Sequence, residues 1–127
     1  MLATAGMTEV ELSEHDDQID QTARVLKAMG HPLRLKILCM LGDQEMRVQD
    51  IVDGVGTTQS NVSQHLGALF EQRLLDSRRE SNRVYYRIGD SRTLSLIGAM
   101  QELFCRPSGS GKAGSLRQAH SALAGMP

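Results

Sequence analysis

The stretch TTQSNVSQHLGALFEQRLL, Thr57 to Leu75, runs directly into DSRRESNRVYYRI, Asp76 to Ile88, and this succession constrains the fold more than any other part of the chain. In the first piece Val62, Leu66, Leu69 and Phe70 recur at helical spacing and make one apolar stripe. Ser60, Gln64 and Gly67 fall on the other face. A face that only had to stay wet would favour Glu and Lys, whereas small hydroxyl and amide side chains suit hydrogen bonding to base edges and phosphates. Upstream, Val48, Ile51, Val52 and Val55 pattern a short helix, Gly56 permits a tight turn, and Thr58 offers an oxygen to cap the helix that follows. Two helices joined in this way predict a helix-turn-helix.

The second piece contains two short runs, LLDSRR and VYYRI, with Glu80, Ser81 and Asn82 in the loop between them, which predict a β-hairpin of ordinary loop length. Arg78, Arg79, Arg83 and Arg87 sit on it, and a guanidinium is the group expected where a loop meets phosphates or enters a minor groove. A wet helical hairpin followed by a wet β-hairpin is the plain alternative. Arginines placed directly after a polar helix face favour a winged reader of duplex DNA. The contacts expected on the helix are Thr58, Gln59, Ser60, Asn61, Ser63 and Gln64, with His65 nearer the packed edge; on the wing they are Arg78, Arg79 and Arg83.

Elsewhere the pattern is helical. Ile19, Ala23, Leu26 and Met29 mark a helix that closes near Gly30, and His31-Pro32 opens another carrying Leu33, Ile37, Leu38 and Leu41. After the hairpin, Leu94, Ile97, Met100, Leu103 and Phe104 mark a last helix, stopped by Pro107, which disfavours helical geometry at Arg106. The chain is therefore expected to be mainly α with a small β-hairpin, ordered α-α-α-α-β-β-α as a winged helix-turn-helix. Its 127 residues leave room for one domain, placed at 14–105 between a loose acidic leader, 1–13, and a tail, 106–127, whose Gly, Ser and Ala predict disorder. The last helix is more apolar than one small domain needs, so one face is expected on the core and another on a second copy. A two-fold dimer of half-site readers suits an inverted repeat, which makes a homodimer on double-stranded operator DNA the expected assembly.

The formal net charge of −1 misleads until the acids are located. Residues 1–22 hold six of the fifteen (Glu9, Glu11, Glu14, Asp16, Asp17 and Asp20) and no Lys or Arg, so the remainder sets fourteen bases against nine acids, a net of +5. No apolar run is long enough to span a bilayer and no basic-then-apolar leader is present, so a soluble cytoplasmic protein without a membrane partner is expected. An enzyme is not expected: there is no Gly-rich phosphate loop and no nucleophile, base and orienting group in a recognisable pattern.

With that order of elements, the motifs HPLRLKIL at 31–38 and TQSNVSQHL at 58–66 resemble the ArsR family of bacterial repressors over about residues 17–105. The resemblance implies a homodimeric repressor that leaves its operator when an inducer binds. Relatives often carry Lys or Arg where this chain has Gly67, which shifts weight from that phosphate contact to the wing. Many relatives bind metals, but Arg47 and Gln49 stand where the thiolate pattern ELCVCDL has its cysteines, and Ser91 to Cys105, which would carry the other common site, contains no histidine. The four histidines, His15, His31, His65 and His120, are scattered, whereas a tight zinc site needs three or four converging ligands. Neither a metal nor another cofactor is expected.

Two cysteines remain. At about 100° per residue, Cys39 lies opposite the mean direction of Leu33, Ile37, Leu38, Met40 and Leu41, and Cys105 ends the last helix beside Arg106. Taken alone, both fit as small packed hydrophobes. The resemblance implies more, because the sulfide-responsive branch that includes SqrR and BigR lacks a metal site and carries two cysteines at positions matched by Cys39 and Cys105. It implies that reactive sulfur species, per- or polysulfide, link the two thiols within a subunit, that DNA is released, and that genes for sulfide oxidation or detoxification are transcribed. A general peroxide or disulfide-stress switch on the same thiols, and an architectural DNA binder without an inducer, are the alternatives.

Overall fold

A computed structural model describes residues 5–104. Six helices and three strands follow one another in the order α1 (Glu9–Glu14), α2 (Asp16–Met29), α3 (Pro32–Leu41), β1 (Met46–Arg47), α4 (Val48–Val55), α5 (Gln59–Glu71), β2 (Leu75–Glu80), β3 (Arg83–Ile88) and α6 (Ser91–Phe104). The winged helix-turn-helix expected from the sequence is present, with two additions.

The first addition is α1, in a stretch expected to be loose. Thr8 and Glu11 close a capping box there: the Glu11 N–H donates to the Thr8 hydroxyl at 3.2 Å and the Thr8 N–H to the Glu11 carboxylate at 2.9 Å. Two of the amides a helix start leaves unpaired are thus satisfied locally, so the turn forms although none of its residues is buried. The second addition is β1, which pairs antiparallel with β3 and makes the sheet three-stranded in the order β1-β3-β2. The hairpin turn is tighter than expected, with Glu80 opposite Arg83 and only Ser81 and Asn82 between the strands. Ser81 takes a positive φ of 57° to close it.

Short-range chemistry sets the helix boundaries. Pro32 at the start of α3 supplies a fixed φ where no donor is needed, and the His31 ring accepts the Leu33 N–H at 3.1 Å. α4 ends at Gly56, whose φ of 78° lets its N–H return to the Val52 carbonyl at 2.9 Å. Thr58 caps α5 as expected. Asp90 holds the start of α6, its carboxylate accepting the Arg92 N–H at 2.8 Å.

The core is aliphatic. Ile37, Leu38 and Leu41 of α3, Ile51 and Val55 of α4, Val62, Leu66 and Leu69 of α5, Leu75 of β2, Ile88 of β3 and Ile97 of α6 close on one another, together with Ala28, Met29 and Leu74. Two sequence expectations need correction, at Phe70 and at Cys39. Phe70 leaves the α5 stripe and is 48% exposed, because the buried side of α5 is narrower than the run of apolar letters. On α2 only Ala28 and Met29 are buried, with Val25 packed beside them and Ile19 and Leu26 about half exposed, and α6 buries Ile97 while Leu103 and Phe104 stand 74% and 81% exposed. Cys39, expected to face away from the core stripe, packs against the core, because α6 covers the side of α3 that a single-stripe reading assigns to solvent.

Candidate nucleic-acid interface

α5 presents two different faces. Val62, Leu66 and Leu69 point inward, while Gln59, Ser60, Ser63 and Gln64 are exposed, and among the described residues none of these four side chains has a hydrogen-bond partner. Thr58 and Asn61 are engaged: the Thr58 hydroxyl accepts the Asn61 N–H at 3.1 Å, and Asn61 Nδ2 donates to the Thr57 hydroxyl at 3.2 Å. These two residues build the start of the helix and aim its first turn. His65 is turned toward α3, where its Nδ1 accepts a hydrogen bond from Arg34 Nε at 3.1 Å. Burial, followed by the nearby His31 and Arg34, holds its pKa below the ordinary histidine value.

The wing divides its arginines. Strand register places Asp76, Arg78 and Glu80 on one face, opposite Arg87, Tyr85 and Arg83 respectively. On that face Arg78 Nε donates to both Glu45 carboxylate oxygens, at 3.0 and 2.7 Å, and its Nη1 to Glu80 at 2.8 Å, while its guanidinium lies 4.5 Å over the Tyr85 ring. The hydrogen bond from Arg78 holds the Glu45 carboxyl below the usual carboxylate range, and Glu45 and Glu80 push Arg78 upward. Arg87 reaches Asp76 at 3.9 Å. Arg79 and Arg83, beside the turn, are exposed and form no ion pair among the described residues.

Of the ten DNA contacts expected, the structure thus sets six outward without a side-chain partner: Gln59, Ser60, Ser63, Gln64, Arg79 and Arg83. Thr58, Asn61, His65 and Arg78 are held by neighbours. Sequence reasoning missed Glu45 as the keeper of Arg78. Its only signal was an acid just ahead of a two-residue strand that the sequence does not announce.

Cys39 is half-buried on α3 beside α6, and its carbonyl accepts Gln101 Nε2 at 3.4 Å. Cys105 lies outside the described residues. Arg47 and Gln49 are engaged with Asp50 at 3.4 Å and Asp53 at 2.9 Å. Among the described residues no three His, Cys, Asp or Glu side chains converge as metal ligands, and no helix is long and apolar enough to cross a membrane.

This geometry has close counterparts. Residues 31–77 match the family model described as "Bacterial regulatory protein, arsR family", a span from the start of α3 into β2. The chain is 32% identical over 99 residues to the biofilm growth-associated repressor of Agrobacterium fabrum, covering 78% of this chain and 85% of that protein. It superposes on reduced HlyU from Vibrio cholerae with a TM-score of 0.71 at 33% identity, over 75% of this chain and 100% of the other. It also superposes on a homodimeric winged helix-turn-helix DNA-binding domain from Mycobacterium bovis, with a TM-score of 0.65 at 33% identity over 79% and 89% of the two chains. With its helix-turn-helix, its wing and these relatives, the chain belongs to the ArsR family of bacterial transcriptional regulators.

Proposed function

We propose that two copies of the chain bind an inverted-repeat operator as a repressor and release it when reactive sulfur species join Cys39 to Cys105 within a subunit. Gln59, Ser60, Ser63 and Gln64 read the major groove, and Arg79 and Arg83 meet the phosphates or minor groove beside it. The Agrobacterium relative is named a repressor and the Mycobacterium neighbour is homodimeric, which supports the repressor and the two-copy parts of the reading. Uncovered apolar side chains on α2 and α6, among them Ile19, Leu26, Leu103 and Phe104, supply a surface for the second subunit.

The observation that carries the sensing step is the bond from Gln101 to the Cys39 carbonyl, which seats residue 39 of α3 against α6 four positions before residue 105. The chemistry balances with polysulfide as oxidant. One cysteine thiolate takes a sulfane sulfur and a shortened sulfide leaves. The other thiolate then attacks the sulfur next to the terminal one and expels hydrosulfide, giving a disulfide if one sulfur was taken up and a longer bridge if more were. Such a link would tie α3 to α6 and shift the dimer seam against the recognition helices.

The test is binding of the reduced protein to a duplex selected from a random library, before and after polysulfide and then peroxide, with product masses recorded. Loss of binding with polysulfide, and its persistence in Cys39→Ser and Cys105→Ser, is the expected result. Release of DNA by either mutant under polysulfide would overturn the pairing, and an equal response of the parent to peroxide would make it a general thiol switch.

A further inference from the structure

The corner between α2 and α3 meets the recognition helix through two imidazoles. The rings of His31 and His65 have their centroids 4.4 Å apart and are tilted by 40°. Each accepts one hydrogen bond through Nδ1, His31 from the Leu33 N–H at 3.1 Å and His65 from Arg34 Nε at 3.1 Å. Both donors are N–H groups without a lone pair, so each Nδ1 must supply one. An imidazolium carries a proton on both ring nitrogens and can accept neither bond, whichever way the ring is turned. Arg34 also sends Nη1 to the Ala28 carbonyl at 3.4 Å, so one guanidinium joins the end of α2, the first turn of α3 and the middle of α5.

We propose that His31 and His65 form a proton-released latch, which holds the recognition helix to the α2–α3 corner while the His65 ring is neutral and frees it when His65 takes up a proton. The latch stands on this geometry; its effect on DNA binding rests on the reading of α5 as the DNA-reading helix.

A proton on His65 would lose the Arg34 bond and add a positive charge beside the Arg34 guanidinium and the His31 ring. Those two α3-side groups are the charged or titratable ones that bear on it. α2 contributes the Ala28 carbonyl through Arg34, and no charged side chain of α2, α4 or β2 acts on the ring. Burial and these neighbours lower the pKa of His65 in the folded chain. The unfolded chain therefore binds the proton first. The contribution is present in full above the ordinary histidine value and is lost as pH falls through the folded value of His65.

The double variant His31→Asn, His65→Gln separates the latch from mere packing. Asn is a favoured cap for Leu33, and the Gln amide oxygen can accept from Arg34, so both bonds survive without a titrating group. Melting of the full chain is followed from about pH 7.5 to about pH 5.5, with histidine Cε1–H shifts read by NMR. The wild type is expected to lose thermal stability over this range and the double variant to hold a flatter profile, with His65 titrating below the ordinary value. Affinity for a random-sequence duplex at fixed salt is expected to fall on acidification in the wild type relative to the variant, by at most about tenfold per unit of pKa depression. Parallel melting profiles, or a His65 midpoint at or above the ordinary value, would overturn the latch. Tighter binding of the wild type at low pH would also overturn it, since that is what added charge alone produces. Absence of duplex binding at every pH would instead remove the DNA-reading role of α5 and leave the latch to be decided by melting and NMR.

Discussion

The outer face of α5 and the surface of the wing are both rich in hydrogen-bonding side chains, yet they differ in what occupies them. On α5 the amides and hydroxyls of Gln59, Ser60, Ser63 and Gln64 have no partner among the described residues, and the helix beneath is fixed by Val62, Leu66 and Leu69. On the wing, Arg78 and Arg87 are tied to Glu45, Glu80 and Asp76, and only Arg79 and Arg83 stand without ion pairs among the described residues. The buried stripe leaves these four side chains of α5 nothing to do in folding, whereas strand register sets wing arginines opposite or beside acids. Exposure of a charge is therefore a different property from its availability to DNA.

The comparison breaks first at the stripe. Leu66→Ala is expected to cost about 2–5 kcal/mol in urea denaturation, because a fully packed side chain leaves a cavity behind. A cost near zero would mean that α5 is not held by its inner face. Next comes its outer face, where Gln64→Ala should leave stability unchanged and reduce discrimination between the selected duplex and a mutated one by about 1–3 kcal/mol. Unchanged sequence preference would place the reading face elsewhere. Smaller again is Arg83→Ala, which should weaken all sequences about equally and lower the slope of log affinity against log salt by about one per subunit. A loss confined to one sequence would make Arg83 a base reader.

What could be read in advance follows the range of the chemistry. Thr58 as a cap, Gly56 as a left-handed stop, Pro32 as a helix opener and the hairpin from Leu75 to Ile88 all depend on neighbours a few residues away, and all are present. β1 was not legible, since two residues cannot display an alternation and Met46 and Arg47 become a strand only because Tyr86 and Tyr85 offer partners. The helical-wheel placement of Cys39 failed for a related reason: a wheel assumes one packed side, and α3 is covered by α4 and α5 and again by α6. Two histidines that looked scattered in the chain meet because α3 begins where α5 passes. Of the expected site, the outward groups on α5 were legible from their polarity, but the division of the wing arginines required the partner across the sheet.

That division yields the finest test, at Glu45. The carboxylate grips Arg78 through Nε, and loss of its charge in Glu45→Gln leaves Arg78 with Glu80 at 2.8 Å and the face of Tyr85 at 4.5 Å. Surface pairs of this kind contribute little to folding, so the variant should melt close to the parent at neutral pH and in high salt. Its signature lies in acid. The Glu45 carboxyl is held below the usual carboxylate range by Arg78, so its stabilising effect is present above that range and disappears as pH falls through the lowered value. The variant should lack that part of the acid transition. On DNA, a partly released guanidinium should steepen the salt slope by less than the loss of Arg83 flattens it. If the slopes of parent and variant coincide while the acid difference is present, Glu45 serves the wing alone and Arg78 takes no part in binding; a shallower slope in the variant would show that the ion pair positions Arg78 for phosphate, reversing the contrast between the wing and α5.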